Sequence, residues 1–308
     1  MRRDFVNEVS RIQQVKRADL VEKDLILHQI LLDLSRSEFF SQNYIFKGGT
    51  CLIKCYLGYF RFSEDIDFTW KDQNVFKNIG QKEIRRYLSP IINKLGELFE
   101  DISAKRGLDF KCKKSDKTYV ELGGGNKTCT FKIWYQSEIL NRKNFLKVQI
   151  AFVERLYSAP EKVELKSILD KAYEELSLLF PDRSEYLQRI AFDAYTVEEI
   201  LCEKIRAILT REGLKARDFL DVHMICRTYG IKLKDIQDCV VDKTRFMLVL
   251  YEKYRRSFAR KKRMILSEET FTWGEERGLL LRDIDEKEFY MFLRILQTFL
   301  ERIIAELH

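Results

Sequence analysis

The chain is 308 residues long, 45% hydrophobic and 33% charged, with 55 Lys and Arg against 48 Asp and Glu for a formal net charge of +7. This length suggests two domains and this apolar content supports real cores. No apolar run nears the roughly 20 residues of a membrane helix, so no membrane partner is expected. Met1-Arg-Arg-Asp-Phe-Val-Asn-Glu carries no apolar signal core, and seven cysteines without a Cys-x-x-Cys spacing read as reduced thiols of a cytoplasmic protein. The only histidines are His28, His223 and His308, so a Cys/His metal cluster is not expected, and His223 reads as structural.

Residues 1–40 read as helical. Tyr44 to Lys47 is a short β-prone run ended by Gly48-Gly49, and Thr50 to Tyr56 reads as a helix with Leu52, Ile53 and Tyr56 apolar. A strand, a glycine turn and a helix start present free backbone N–H groups, which suits phosphate. Thr50 can cap that helix or offer its hydroxyl. Asp65, Ile66, Asp67, Phe68 and Thr69 alternate as a strand should, so both carboxylates share one face while Ile66 and Phe68 pack inward. Adjacent carboxylates repel unless a cation lies between them, and Mg²⁺ is commonly held by one or two carboxylates plus substrate phosphates. The same pair can be two surface acids at a strand edge, but the glycine cradle just upstream favours a nucleoside triphosphate and metal site.

Residues 73–106 read as a long helix broken or bent at Pro90. Residues 117–153 read as strands with a turn at Gly123-Gly124-Gly125-Asn126, and Thr128 to Tyr135 is expected to pair with Phe145 to Phe152 as a hairpin. Pro160 and Pro181 bracket a change of character. From Thr196 the pattern is nearly all helical, ending in an amphipathic run from Glu286 to Leu307. Domains are expected at 1–180 and 181–308.

The order Gly48-Gly49-Thr50 then Asp65-x-Asp67 resembles the polymerase-β-like nucleotidyltransferase superfamily. With Lys54, Tyr56, Arg61, Phe62 and Ser63 the fuller string resembles the AbiEii-type nucleotidyltransferases, toxins of abortive-infection toxin–antitoxin systems. Val21-Glu22-Lys23-Asp24, with the helical stretch to Leu34, resembles the helix preceding the cradle in that family. A second block matches its later motif through Glu203, Lys204, Ala207, Arg211, Arg217, Asp218 and Asp221. The likeness covers roughly residues 20–70 and 190–225.

The resemblance implies an α+β protein: a polymerase-β-like nucleotidyltransferase domain with a small mixed sheet, plus a C-terminal helical bundle domain. It implies Mg²⁺ (or Mn²⁺) at Asp65 and Asp67, with the nucleotide held by Gly48, Gly49, Thr50, Lys54, Arg61, Ser63 and Arg211. Lys204 would contact the triphosphate and Asp218 would orient the acceptor. The NTP would be transferred as a nucleoside monophosphate to an acceptor hydroxyl at a tRNA 3′ end, and an antitoxin protein would be the partner. One departure concerns the third metal-binding carboxylate usual in the superfamily. The candidate strand, Phe145 to Val153, carries Gln149 at that position.

The second block also admits a simpler reading. Lys204, Ile208 and Arg211 share one helical stripe, Gly213 breaks the helix, and Arg217 and Asp221 fall at i, i+4 on the next. These charges can serve a triphosphate and an acceptor, or they can form a salt-bridge network between two helices. Glu198 and Glu199 read as first-turn acids favoured by the helix dipole. Two basic runs invite RNA: Arg255, Arg256, Arg260, Lys261, Lys262 and Arg263 around Phe258, and Lys111, Lys113, Lys114 and Lys117. Each can equally be a solvated face. Two further readings stay open at this level: a nucleotidyltransferase acting on a protein or small molecule, and a non-catalytic nucleotide-binding module.

Overall fold

The computed structural model describes residues 3–170, 173–265 and 271–307, and of residues 173–175 and 262–265 the backbone alone. Two compact units divide the chain: Met1–Glu154 with Glu161–Ala194, and Arg155–Pro160 with Tyr195–His308. The protein is of mixed α/β class.

The first unit is built on a seven-stranded mixed sheet, β1 (Tyr44–Lys47), β2 (Asp65–Trp70), β3 (Val120–Gly123), β4 (Thr128–Ser137), β5 (Arg142–Ala151), β6 (Glu161–Glu164) and β7 (Ala191–Ala194), in the order β3-β4-β5-β2-β1-β7-β6. β4 and β5 form the expected hairpin, with Thr128 opposite Ala151 and Phe145 opposite Trp134. β2 lies parallel to β5 on one side and antiparallel to β1 on the other. The first unit runs to Ala194, past the boundary expected at residue 180, because β7 pairs with β1 at Phe46 and Ala194.

Alternation decides which face of the sheet is core. Ile66 and Phe68 of β2, Val148 and Ile150 of β5, and Phe131 and Ile133 of β4 are all buried. Aromatic contacts tie the centre together: Phe68 lies edge-on to Phe40 at 4.7 Å and to Phe192 at 5.3 Å. Helices α1 (Arg3–Ile12), α2 (Ala18–Arg36) and α3 (Glu38–Asn43) precede β1. α2 is buried nearly all round, and its acidic residues Glu22, Asp24 and Asp33 are partnered. Glu22 accepts from the Ser137 hydroxyl at 2.5 Å and the Glu138 N–H at 2.8 Å, and Asp33 accepts from Arg106 at 2.6 Å.

A short helix α4 (Gly48–Cys51) follows β1 and continues as a π-helical turn over Leu52–Leu57 before β2. α5 (Gln81–Arg106) starts where Glu83 accepts from the Gly80 N–H at 2.9 Å and ends at the left-handed Gly107, φ 65°. Pro90 does not break it: the helix is continuous through that position. α6 (Tyr173–Leu179) follows β6 in the same unit.

The second unit holds α7 (Val197–Thr210), α8 (Ala216–Tyr229), α9 (Gln237–Leu250), α10 (Glu252–Ile265) and α11 (Glu286–Glu306). The Thr196 side chain caps α7 by accepting from the Glu199 N–H at 3.2 Å. Glu199 does more than favour the dipole. It is buried, forms an ion pair with Lys243, and accepts from the N–H groups of Tyr157 and Ser158 at 3.1 and 2.9 Å, fastening residues 155–160 to this unit. His223 is packed between the rings of Phe289 and Phe292, at 5.3 and 5.0 Å. Among the described residues, no helix is long and apolar enough to cross a membrane.

Candidate active site

The β1–α4 turn is shaped around an aspartate. Gly48 has φ +78°, a conformation that L side chains rarely adopt, and a Cβ there would come within 2.3 Å of the Asp67 Oδ2. A Cβ on Gly49 would come 2.9 Å from the Arg61 Nη2 and 3.0 Å from the Ser63 Oγ. The glycines are therefore required by the side chains that crowd them. Arg61 is buried and donates to the Phe62 carbonyl at 2.6 Å, which fixes its guanidinium beside the turn. The Thr50 hydroxyl donates to the Asp65 carbonyl, tying the start of α4 to the strand that bears the acids.

Asp65 and Asp67 lie half-buried on one face of β2. Strand pairing gives each a neighbour on that face: Lys147 of β5 beside Asp65, and Gln149 of β5 and Lys47 of β1 on either side of Asp67. Gln149 is thus the β5 residue in register with Asp67. Lys47 is paired with Glu154 at 2.8 Å, with 7% and 4% of the two side chains exposed. Among the described residues, no cluster of three or more His, Cys, Asp or Glu is placed to hold a metal. Two carboxylates and one amide oxygen remain, all hard donors. That set fits Mg²⁺ or Mn²⁺, which commonly take one or two carboxylates and complete their shell with water and phosphate oxygens.

The structure brings Gly48, Gly49, Arg61, Ser63, Asp65 and Asp67 together at this turn. It turns Lys54 elsewhere. That lysine is buried, forms an ion pair with Asp24 of α2 at 3.0 Å and donates to the Tyr59 hydroxyl, so its charge anchors the π-helical turn to α2.

In the second unit Lys204 bridges Asp218 at 3.0 Å and Asp221 at 2.7 Å, and Arg211 reaches the other Asp218 oxygen at 2.5 Å. Burial alone would raise the Asp218 pKa, but Lys204, Arg211 and Arg217 together hold it below the usual carboxylate range. Arg217 also pairs with Glu276 at 3.4 Å. These charges join α7 to α8, and Arg211, 39% exposed, is the network's opening to solvent.

The basic run on α10 does not make one continuous patch. Lys261 is buried and donates to the Ile208 carbonyl at 2.8 Å; burial and the nearby Arg211 charge push its pKa down to about 8. Arg256 pairs with Glu252 on its own helix, and Arg255 donates to the Leu248 carbonyl at 2.8 Å. Arg260 lies 3.8 Å from Glu212. The side chains of Lys262 and Arg263 lie outside the described residues.

Sequence reasoning missed Lys47 and Glu154 as a buried pair at the site and Asp24 as the partner of Lys54. The only available signal for Lys47 was its position at the end of a strand one residue before the glycine turn.

A model of the family described as nucleotidyl transferase AbiEii toxin, type IV TA system, matches residues 29–290. No curated protein matches the sequence. Two solved structures from Helicobacter pylori are matched: JHP933, at 15% identity and a TM-score of 0.43 over 94% of each chain, and a protein described as a candidate nucleotidyltransferase, at 16% identity and 0.43 over 94% of this chain and 98% of that one.

Proposed function

This chain belongs to the family of AbiEii nucleotidyl transferase toxins of type IV toxin–antitoxin systems, and we propose that it transfers a nucleoside monophosphate from an NTP to a hydroxyl of an RNA acceptor, a tRNA 3′ end. The observation that carries this reading is the packing of the Gly48-Gly49 turn against Asp67, with Asp65 and Gln149 on the same sheet face. In this reading the sheet is the core of a polymerase-β-like domain, and the second unit is the family's C-terminal helical bundle.

In the reaction the acceptor oxygen bonds to the α-phosphorus, the bond to the bridging oxygen of the β-phosphate breaks, and pyrophosphate leaves. The backbone N–H groups of Gly48, Gly49 and Thr50 hold triphosphate oxygens, because a helix start and a turn present unpaired donors there. Arg61 and Ser63, pressed against Gly49, add charge and a hydroxyl. Asp65 and Asp67 would hold Mg²⁺, with the Gln149 carbonyl as a neutral third donor. The ion would neutralise charge on the phosphates and lower the pKa of the attacking hydroxyl. Arg211 provides a further phosphate contact. The resemblance assigns Lys204 to the triphosphate and Asp218 to the acceptor; here the two are buried together in one ion-pair network. As a toxin of a type IV system, the protein has an antitoxin as its partner.

The test incubates purified protein with Mg²⁺, each labelled NTP in turn, and total tRNA. Label on RNA that is lost in Asp65→Ala supports the proposal. Label on protein alone, or no label on anything while NTP still binds, overturns it.

A further inference from the structure

The sheet face that carries Asp65 and Asp67 continues across β5 and β4. Register sets the order: Asp65 of β2 neighbours Lys147 of β5, which neighbours Lys132 of β4. Two residues before Lys147, about 7 Å along the strand, Phe145 pairs across to Trp134. Their ring centroids are 4.7 Å apart at 45°, and both side chains are half-buried on a face otherwise lined by polar groups. Lys132 and Lys147 each place Nζ 5.9 Å from the centre of the Phe145 ring.

This pair is held from one side by the loop that carries the second basic run. Asp109 and Trp134 exchange backbone hydrogen bonds of 2.8 and 2.9 Å. The Trp134 indole N–H donates to the Thr118 carbonyl at 2.9 Å, and the Lys132 ammonium donates to the Lys117 carbonyl at 3.0 Å. Lys111, Lys113 and Lys117 are exposed on that loop. Glu121 pairs with Lys132 at 2.6 Å and so fixes its ammonium close to the Phe145 ring. Ordinary cross-strand packing accounts for one aromatic pair. It does not account for a fixed, partly open pair flanked by ammonium groups and fed by a lysine loop, on the face that bears the catalytic carboxylates.

We propose that Trp134 and Phe145 form a stacking platform for a base of single-stranded RNA close to its acceptor end, with Lys147, Lys132 and the Lys111–Lys117 loop taking the phosphates. This rests on the reading that Asp65 and Asp67 mark the place of transfer. Flat aromatic rings stack on any base and ammonium groups track the backbone, so the platform selects single strands over duplexes and is tolerant of sequence. It also places the RNA strand on β4 and β5 of the first unit.

Binding of a fluorescein-labelled oligoribonucleotide of about 12 nucleotides, followed by anisotropy without NTP or metal, tests the platform. Phe145→Ala and Trp134→Ala are expected to weaken binding about tenfold or more, while Trp134→Phe, which keeps a ring, stays near wild type. Lys147→Ala is expected to reduce the salt dependence of binding. Thermal melts of each variant separate lost contacts from lost folding. Unchanged affinity in the folded Trp134→Phe, Phe145→Ala double variant, equal affinity for duplex RNA, or no RNA binding by the wild type overturns the platform. The two proposals fail separately. Phe145-dependent RNA binding with no transfer from any NTP leaves the platform and removes the transferase reading. Transfer to RNA with an acceptor KM indifferent to Phe145→Ala does the reverse.

Discussion

Gln149 stands in register beside Asp67, one strand over in the parallel pairing of β5 with β2. A glutamine there gives the acid pair a neutral oxygen neighbour and avoids a third mutually repelling charge. Gln149→Glu is therefore expected to tighten Mg²⁺ about tenfold, one unit of charge being worth on the order of 1 kcal/mol at a surface site. It is also expected to lower stability in EDTA through like-charge repulsion. Gln149→Leu should demand more Mg²⁺ for half-maximal activity. Metal titrations of transfer and melts with and without EDTA provide the check, and a metal requirement identical in all three proteins would contradict the placement.

Gly48 and Gly58 separate two reasons for needing glycine. Both have positive φ, 78° and 73°, but a Cβ on Gly48 meets the Asp67 carboxylate while one on Gly58 meets open space. Gly58→Ala should cost about 1–2 kcal/mol of stability from backbone strain with activity retained. Gly48→Ala should cost at least as much and also displace Asp67, lowering kcat/KM by about 100-fold. Urea unfolding beside steady-state kinetics distinguishes the two.

The Lys204 network is a buried charge balance, so removing one member strands the others. Lys204→Met leaves Asp218 and Asp221 facing each other and is expected to destabilise the protein by about 3–5 kcal/mol. Arg211→Ala acts at a partly exposed position and should cost less than about 1 kcal/mol, while lowering activity if its phosphate contact is correct. Chemical denaturation of both variants reads the difference in stability. An Arg211→Ala enzyme with unchanged KM for NTP would remove the assigned contact.

His28 gives a pH signature of its own. It is buried, its ring stacks toward Tyr186 at 6.4 Å, and burial together with the Lys54 charge pushes its pKa down to about 3. Above pH 6.5 the imidazole is neutral in both folded and unfolded chains and adds no pH dependence. As pH falls from 6.5 toward 3, the unfolded chain binds a proton that the folded one refuses, so stability falls by about 1.4 kcal/mol per pH unit. His28→Phe should flatten this slope between pH 6 and 4. Asp218, whose folded pKa is depressed, adds its own loss only as pH drops below the ordinary carboxylate range.

The alternation at Asp65 to Thr69 was readable because a half-buried strand has period two, and it placed both carboxylates on one face. The β4–β5 hairpin, the start of α7 at Thr196 and Gln149 as the odd residue on its strand were legible for similar local reasons. Lys54 was not. The resemblance assigns it to the nucleotide, but its partner Asp24 lies 30 residues away, and only the packing of α2 reveals it. The Lys47–Glu154 pair has the same character. The π-helical turn at Leu52–Leu57 has no sequence signature distinct from an α-helix. β6 and β7 are four residues each, too short for periodicity to register. Lys261 looked like one more exposed base in a run of bases, because composition does not say which side of a helix faces inward.

The position of β1 between β2 and β7 has a consequence for synthesis. Phe46, next to the cradle, meets its parallel partner Ala194 only after some 150 further residues have been made. At about 5–20 residues per second, that strand waits on the order of ten to thirty seconds on the ribosome with one edge unpaired. A nascent chain therefore carries the glycine turn and both aspartates long before the sheet that must hold them is closed. Parallel pairing at such separation also folds slowly, since the loop entropy is lost before the contacts return it. The β1 edge next to the glycine turn is thus completed only after most of the described chain has emerged.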